Sequence, residues 1–180
     1  MTPQATLLPL AARVLTYPGP ETPALLAECR AVSAPDVPDA TRRLREFASA
    51  MEGHSIEAMQ ERFTGAFDFD PKCTLDIGWH LFGENYDRGD FLVRMRGALA
   101  AHGIEEGVDL PDHLPHLLIL LDRMAPAAGA ELATGFVLPA VAKILDGLGG
   151  QENPYELVIA AVQTLVSTHA CVAPGGVSHV

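Results

Sequence analysis

From Leu7 to Leu165 the apolar residues recur at intervals of three and four, and the breaks between these runs fall on proline and glycine. That spacing places each run on one side of a helix and is incompatible with the two-residue alternation of a half-buried strand. Leu7, Leu10, Ala11 and Val14 share a face of a first helix, stopped by Tyr17-Pro18-Gly19-Pro20. Thr22 before Pro23 reads as a cap and first turn for a second, with Leu25, Leu26, Cys29 and Val32 inward. Leu44, Phe47, Ala48 and Met51 give a third, ended by Gly53, and Ser55 caps a fourth carrying Met59, Phe63 and Phe67. A short piece over Thr74 to Phe82 and a longer helix from Arg88 to His102 follow. Further helices begin at Pro115, near Ala127 with Pro139 as a kink, and at Asn153-Pro154. The expectation is an all-α, single-domain helical bundle of about eight or nine helices over residues 1–170, with a loose tail over 171–180.

Charge narrows the partners. The 180 residues hold 12 Lys and Arg against 23 Asp and Glu, a formal net charge of −11. Residues 1–50, 51–100 and 101–180 contribute 0, −4 and −7, so the acidity grows toward the C-terminal half. Such a field argues against nucleic acid and anionic lipid and would draw a cationic partner; the other reading is a solvated acidic surface. Three cysteines without CxxC spacing read as reduced thiols rather than a disulfide framework. No basic residue precedes Arg13 and Pro9 interrupts the opening apolar stretch, so no secretory signal is expected and the location reads as cytoplasmic. Leu157 to Val180 lacks Asp, Glu, Lys and Arg, but Gln163, Thr164, Ser167, Thr168 and His169 interrupt it. It reads as a core helix and not as a membrane insertion.

The most concentrated polar group is Asp109, Asp112, His113 and His116. Helical spacing would let Asp112, His113 and His116 converge on a metal, as in a small metal-dependent hydrolase. Pro111 and Pro115 favour instead a turn and a helix start, with Asp112 as the N-cap; a partner-binding loop is the remaining reading. His80 sits beside Trp79 and near Phe82, as in a half-buried aromatic cluster, and Gly83 to Gly89 reads as a turn into a helix with Asp87 capping and Arg88 pairing an acid. No phosphate-binding loop, nucleophile elbow, dinucleotide fingerprint or HExxH is present. The residues by themselves describe an acidic helical domain without visible catalytic apparatus, whose apolar grooves suit a peptide or partner helix.

Three stretches in order carry a resemblance: Met59-Gln60-Glu61-Arg62-Phe63-Thr64-Gly65-Ala66-Phe67-Asp68-Phe69, then Gly83-Glu84-Asn85-Tyr86-Asp87-Arg88-Gly89, then Leu110-Pro111-Asp112-His113-Leu114-Pro115 before a leucine-rich helix. With Leu15-Thr16-Tyr17-Pro18 closing the first helix, the chain resembles the NarJ branch of the TorD/DmsD/NarJ chaperones. These are the delta-subunit-like assembly factors of respiratory nitrate reductase and related molybdoenzymes. The resemblance implies a non-enzymatic cytoplasmic chaperone, without a cofactor or metal of its own, acting in nitrate assimilation and anaerobic respiration. Its partner would be the N-terminal peptide of a catalytic (alpha) subunit, held until the molybdenum cofactor is inserted, with the chaperone a monomer or a dimer. The implied partner-binding residues are Leu110, Pro111, Asp112, His113 and Pro115, then Tyr86, Asp87 and Arg88, then Phe67 and Phe69. Asp112 would accept from a cationic peptide group and His113 would tune the loop with pH. A general helical interaction module is the alternative.

Overall fold

A computed structural model of the chain describes residues 3–150 and 152–171, and among them every regular element is a helix. These are α1 (Pro3–Val14), α2 (Thr22–Ala31), α3 (Pro38–Ala50), α4 (Ile56–Phe67), α5 (Ile77–Phe82), α6 (Tyr86–Ala101), α7 (Leu114–Arg123), α8 (Pro126–Leu148) and α9 (Tyr155–Cys171). The expected all-α bundle is what forms. Of the expected tail over 171–180, Cys171 is the last residue of α9, and 172–180 lie outside the described residues.

Local chemistry accounts for most of the boundaries. Ser55 caps α4, its hydroxyl accepting from the Ala58 N–H, and Asn153 does the same for α9 through the Tyr155 N–H at 3.1 Å. Proline occupies the first turn of α2, α3, α7 and α8, where its missing N–H costs nothing. Three expected caps are different. Glu21, not Thr22, precedes α2, and the Thr22 hydroxyl accepts from the Gly19 N–H instead. Asn85 precedes α6, leaving Asp87 exposed in the first turn. His113 precedes α7, which displaces Asp112 from the cap. At Pro139 the helix widens rather than breaking: Ala133–Val137 form a π turn. The wider turn relieves the contact between the proline ring and the carbonyl four residues earlier.

α9 is the spine. Val158, Ile159, Ala161, Val162, Leu165 and Val166 are buried on it, packed against α3, α1 and α8. Tyr155 at its start is enclosed by the rings of Phe47, Phe63 and Phe67, at centroid distances of 5.1–5.3 Å. Such tilted and edge-on contacts add to the burial term. α8 is 23 residues long and apolar enough to cross a bilayer by length and composition. Its stripe Leu132, Ala133, Val137, Ala140, Val141, Ile144 and Leu148 is buried in the bundle. The acidic loop after α6 and the segment before α5 then converge on one end of the bundle.

Candidate functional site

The convergence is built by a single pair of extended residues. Asp76, before α5, and His113, before α7, form an isolated antiparallel bridge. The Ile77 N–H donates to the Asp112 carbonyl at 3.1 Å, and the Leu114 N–H donates to the Leu75 carbonyl at 2.8 Å. The bridge is flanked by side chains. His113 Nδ1 donates to Asp76 Oδ1 at 3.1 Å, and the Arg88 guanidinium lies 3.7 Å from Asp76 Oδ2. Arg88 also covers the Trp79 ring at 5.6 Å. The His113 hydrogen bond, reinforced by the charges of His113 and Arg88, holds the Asp76 carboxyl below its usual range.

Asp112 lies beneath this bridge with no solvent exposure. Its Oδ2 accepts the Gly78 N–H at 2.8 Å, so it caps α5 across the fold, not its own helix. Burial raises its pKa, opposed by the Gly78 hydrogen bond. Oδ1 has no partner among the described residues. His80, at the other end of α5, donates Nε2 to the Thr74 carbonyl at 2.7 Å, and its own carbonyl accepts from Lys143 Nζ at 2.6 Å. Burial lowers its pKa, with the Lys143 charge adding to the effect.

Three hollows share lining residues, two of them at the bridge and the third beside α5 and α8. One of about 280 Å³ has Leu15, Phe63, Phe67 and Leu75 as apolar walls, with Tyr17, Asp68, Val108, Asp109 and His113 around them. The second, of about 370 Å³, shares Phe67, Asp68 and Thr74 with the first and continues past Asp76 to Trp79 and Arg88. The third, of about 660 Å³, shares Pro71 and Trp79 with the second and reaches Lys143 and Asp146 on α8. Together they make a groove with apolar walls and a mainly acidic margin, a shape suited to an extended or helical peptide.

The sequence-derived site residues divide sharply. Phe67, Arg88 and His113 line the groove. Leu110 is exposed beside it without lining it, and Pro111 and Pro115 are buried under the loop. Asp112 is enclosed, so the expected contact with a cationic peptide group is replaced by the α5 cap. Phe69 is 79% exposed, and Tyr86, 94% exposed, stands with Asp87 on the outer surface of α6 away from the groove. The metal convergence does not form. His116 Nδ1 donates to the Leu110 carbonyl and His113 to Asp76, and among the described residues no group of three His, Cys, Asp or Glu is placed to hold an ion. The sequence reading passed over Asp68, Thr74, Asp76, Trp79 and Val108 as groove residues. Val108 carried a usable signal, as a large apolar residue in an acidic loop.

Known proteins give this geometry a context. The family model described as nitrate reductase delta subunit matches residues 32–156. The chain is also 27% identical over 112 residues to the nitrate reductase molybdenum cofactor assembly chaperone NarJ of Escherichia coli strain K12, and equally so to that of Escherichia coli O157:H7. The match covers 61% of this chain and 46% of each relative, so the chain spans about half the length of the curated relatives it matches.

Proposed function

Since the chain belongs to the nitrate reductase delta subunit family, we propose that it is a system-specific assembly chaperone and not an enzyme. It binds the N-terminal segment of an apo molybdoenzyme catalytic subunit, respiratory nitrate reductase or a relative. It acts in the cytoplasm and keeps that subunit open to molybdenum cofactor insertion before membrane attachment or export. The role of its NarJ relatives in molybdenum cofactor assembly supports this reading. The observation that carries it is the groove. Residues from α1's end, α4, α5, α6 and the loop before α7 meet there around apolar walls and carboxylates.

Physics favours a transient complex. An unfolded segment loses conformational entropy on docking, which keeps affinity moderate and permits release after loading. The net charge of −11 steers a basic segment toward the chaperone without fixing its final pose.

Trp79 provides the test, because it is the sole tryptophan and lines two of the hollows. The probe is a tryptophan-free peptide of the first twenty or so residues of the nitrate reductase catalytic subunit from the same organism. Titration is expected to shift Trp79 emission saturably with a Kd on the order of micromolar. A scrambled peptide of equal composition is expected to leave the emission unchanged. Equal binding of both would identify a general interaction module, and no response to either would refute the chaperone reading.

A further inference from the structure

We propose that Asp68 and Asp109 form the element of the groove that reads a basic side chain of the bound segment, beside a large apolar side chain seated against Phe63 and Phe67. This rests on the chaperone reading and names the chemistry by which the site selects its partner.

Among the carboxylates that line the hollows of about 280 and 370 Å³ or lie beneath the bridge, these two stand apart. Asp76 is engaged by His113 and Arg88. Asp112 is enclosed and bonded to Gly78. Asp70 accepts the Lys72 N–H at 2.9 Å. The carboxylates of Asp68 and Asp109, both exposed, take part in no hydrogen bond or ion pair among the described residues. Both line the hollow of about 280 Å³, and no Lys or Arg does.

Asp68 is also placed against its local interest. It is the C-cap of α4, where the helix carbonyls already concentrate negative charge. A carboxylate at that end is unfavourable, and a cation docked there relieves both the carboxylate and the dipole. Asp68 further borders the second hollow, so it stands at the junction of the groove.

The apolar component is equally exposed. Tyr17 is 55% accessible and Val108 fully so, and both border the same hollow as the two acids. Large apolar side chains left in water beside unpaired carboxylates are complementary to an amphipathic, basic segment. The hollow lies below the roughly 300–1,000 Å³ of small-molecule pockets, which fits one inserted side chain rather than a whole ligand.

The experiment uses the full chain with Asp68→Asn, Asp109→Asn and the double variant, titrated through Trp79 with the nitrate reductase N-terminal peptide. A peptide series carries citrulline in place of each arginine in turn, which removes charge and keeps shape. Glu131→Gln, an exposed change of the same charge outside the groove, serves as the control. Each Asn change is expected to weaken the unmodified peptide about three- to tenfold and to flatten the salt dependence, while Glu131→Gln leaves Kd unchanged. One citrulline peptide should bind wild type and the double variant equally, which assigns the arginine that the pair reads. Equal binding of the unmodified peptide to wild type and double variant would overturn the assignment while leaving the chaperone reading intact. A loss of the same size with every citrulline peptide would overturn it too. Absence of binding to the wild-type chain would overturn both.

Discussion

Replacing Gly78 by alanine tests the junction beneath the groove. A Cβ built on Gly78 would lie 2.6 Å from Asp112 Oδ2, 3.0 Å from Phe91 Cδ1 and 3.4 Å from Arg88 Cγ. The carboxylate cannot accept the Gly78 N–H and clear that methyl group together. Losing a hydrogen bond to a charged acceptor costs about 1.5–3 kcal/mol. Overpacking against Phe91 adds about 1–3 kcal/mol. The reduced backbone entropy of the unfolded chain returns about 0.4–1 kcal/mol. The expected net loss is about 1.5–5.5 kcal/mol, read as a lower urea midpoint at constant m and a fall of roughly 3–20 °C in Tm. Gly97→Ala is the reference, because Gly97 lies inside α6 with nothing within 4 Å of an added Cβ. It is expected to stabilise by up to about 1 kcal/mol. A Gly78→Ala protein within 1 kcal/mol of wild type would refute the cross-fold cap.

Asp112 carries a pH signature. Its folded pKa is raised by burial, so its contribution to stability is present below about pH 4 and is lost as pH rises through the folded value. The stability of Asp112→Asn relative to wild type should therefore grow between pH 4 and 7 in urea titrations. Asp112→Ala, without an acceptor for the Gly78 N–H, should lose about 1–3 kcal/mol. Thiol labelling with a disulfide reagent at pH 8 should modify exposed Cys171 quickly, whereas buried Cys29, its pKa pushed up to about 11, and buried Cys73 should react only on unfolding. Tyr155→Ala should remove the hub of the Phe47, Phe63 and Phe67 cluster at a cost of about 3–5 kcal/mol, measured by chemical denaturation.

The sequence by itself determined the helices, because the information that makes and ends a helix is local. Three- and four-residue spacing, Ser55 before α4, the first-turn prolines and Gly53 after α3 each act within a turn or two of chain. The loop motif before α7 was legible for the same reason, as a dense polar group between two prolines. What Asp112 does there was not legible. Its partner Gly78 lies 34 positions away, and burial, which excludes a peptide from it, depends on how four segments pack. Nearest-neighbour reasoning made Asp112 the cap of the helix that follows it, while packing gave it to α5. Tertiary structure also decided which motif residues share a surface: Phe67, Arg88 and His113 line the groove, while Tyr86, two residues before Arg88, points into solvent. Helix identity rests on contacts between near neighbours. The groove rests on contacts between segments distant in sequence, whose relative positions are fixed only when the core closes.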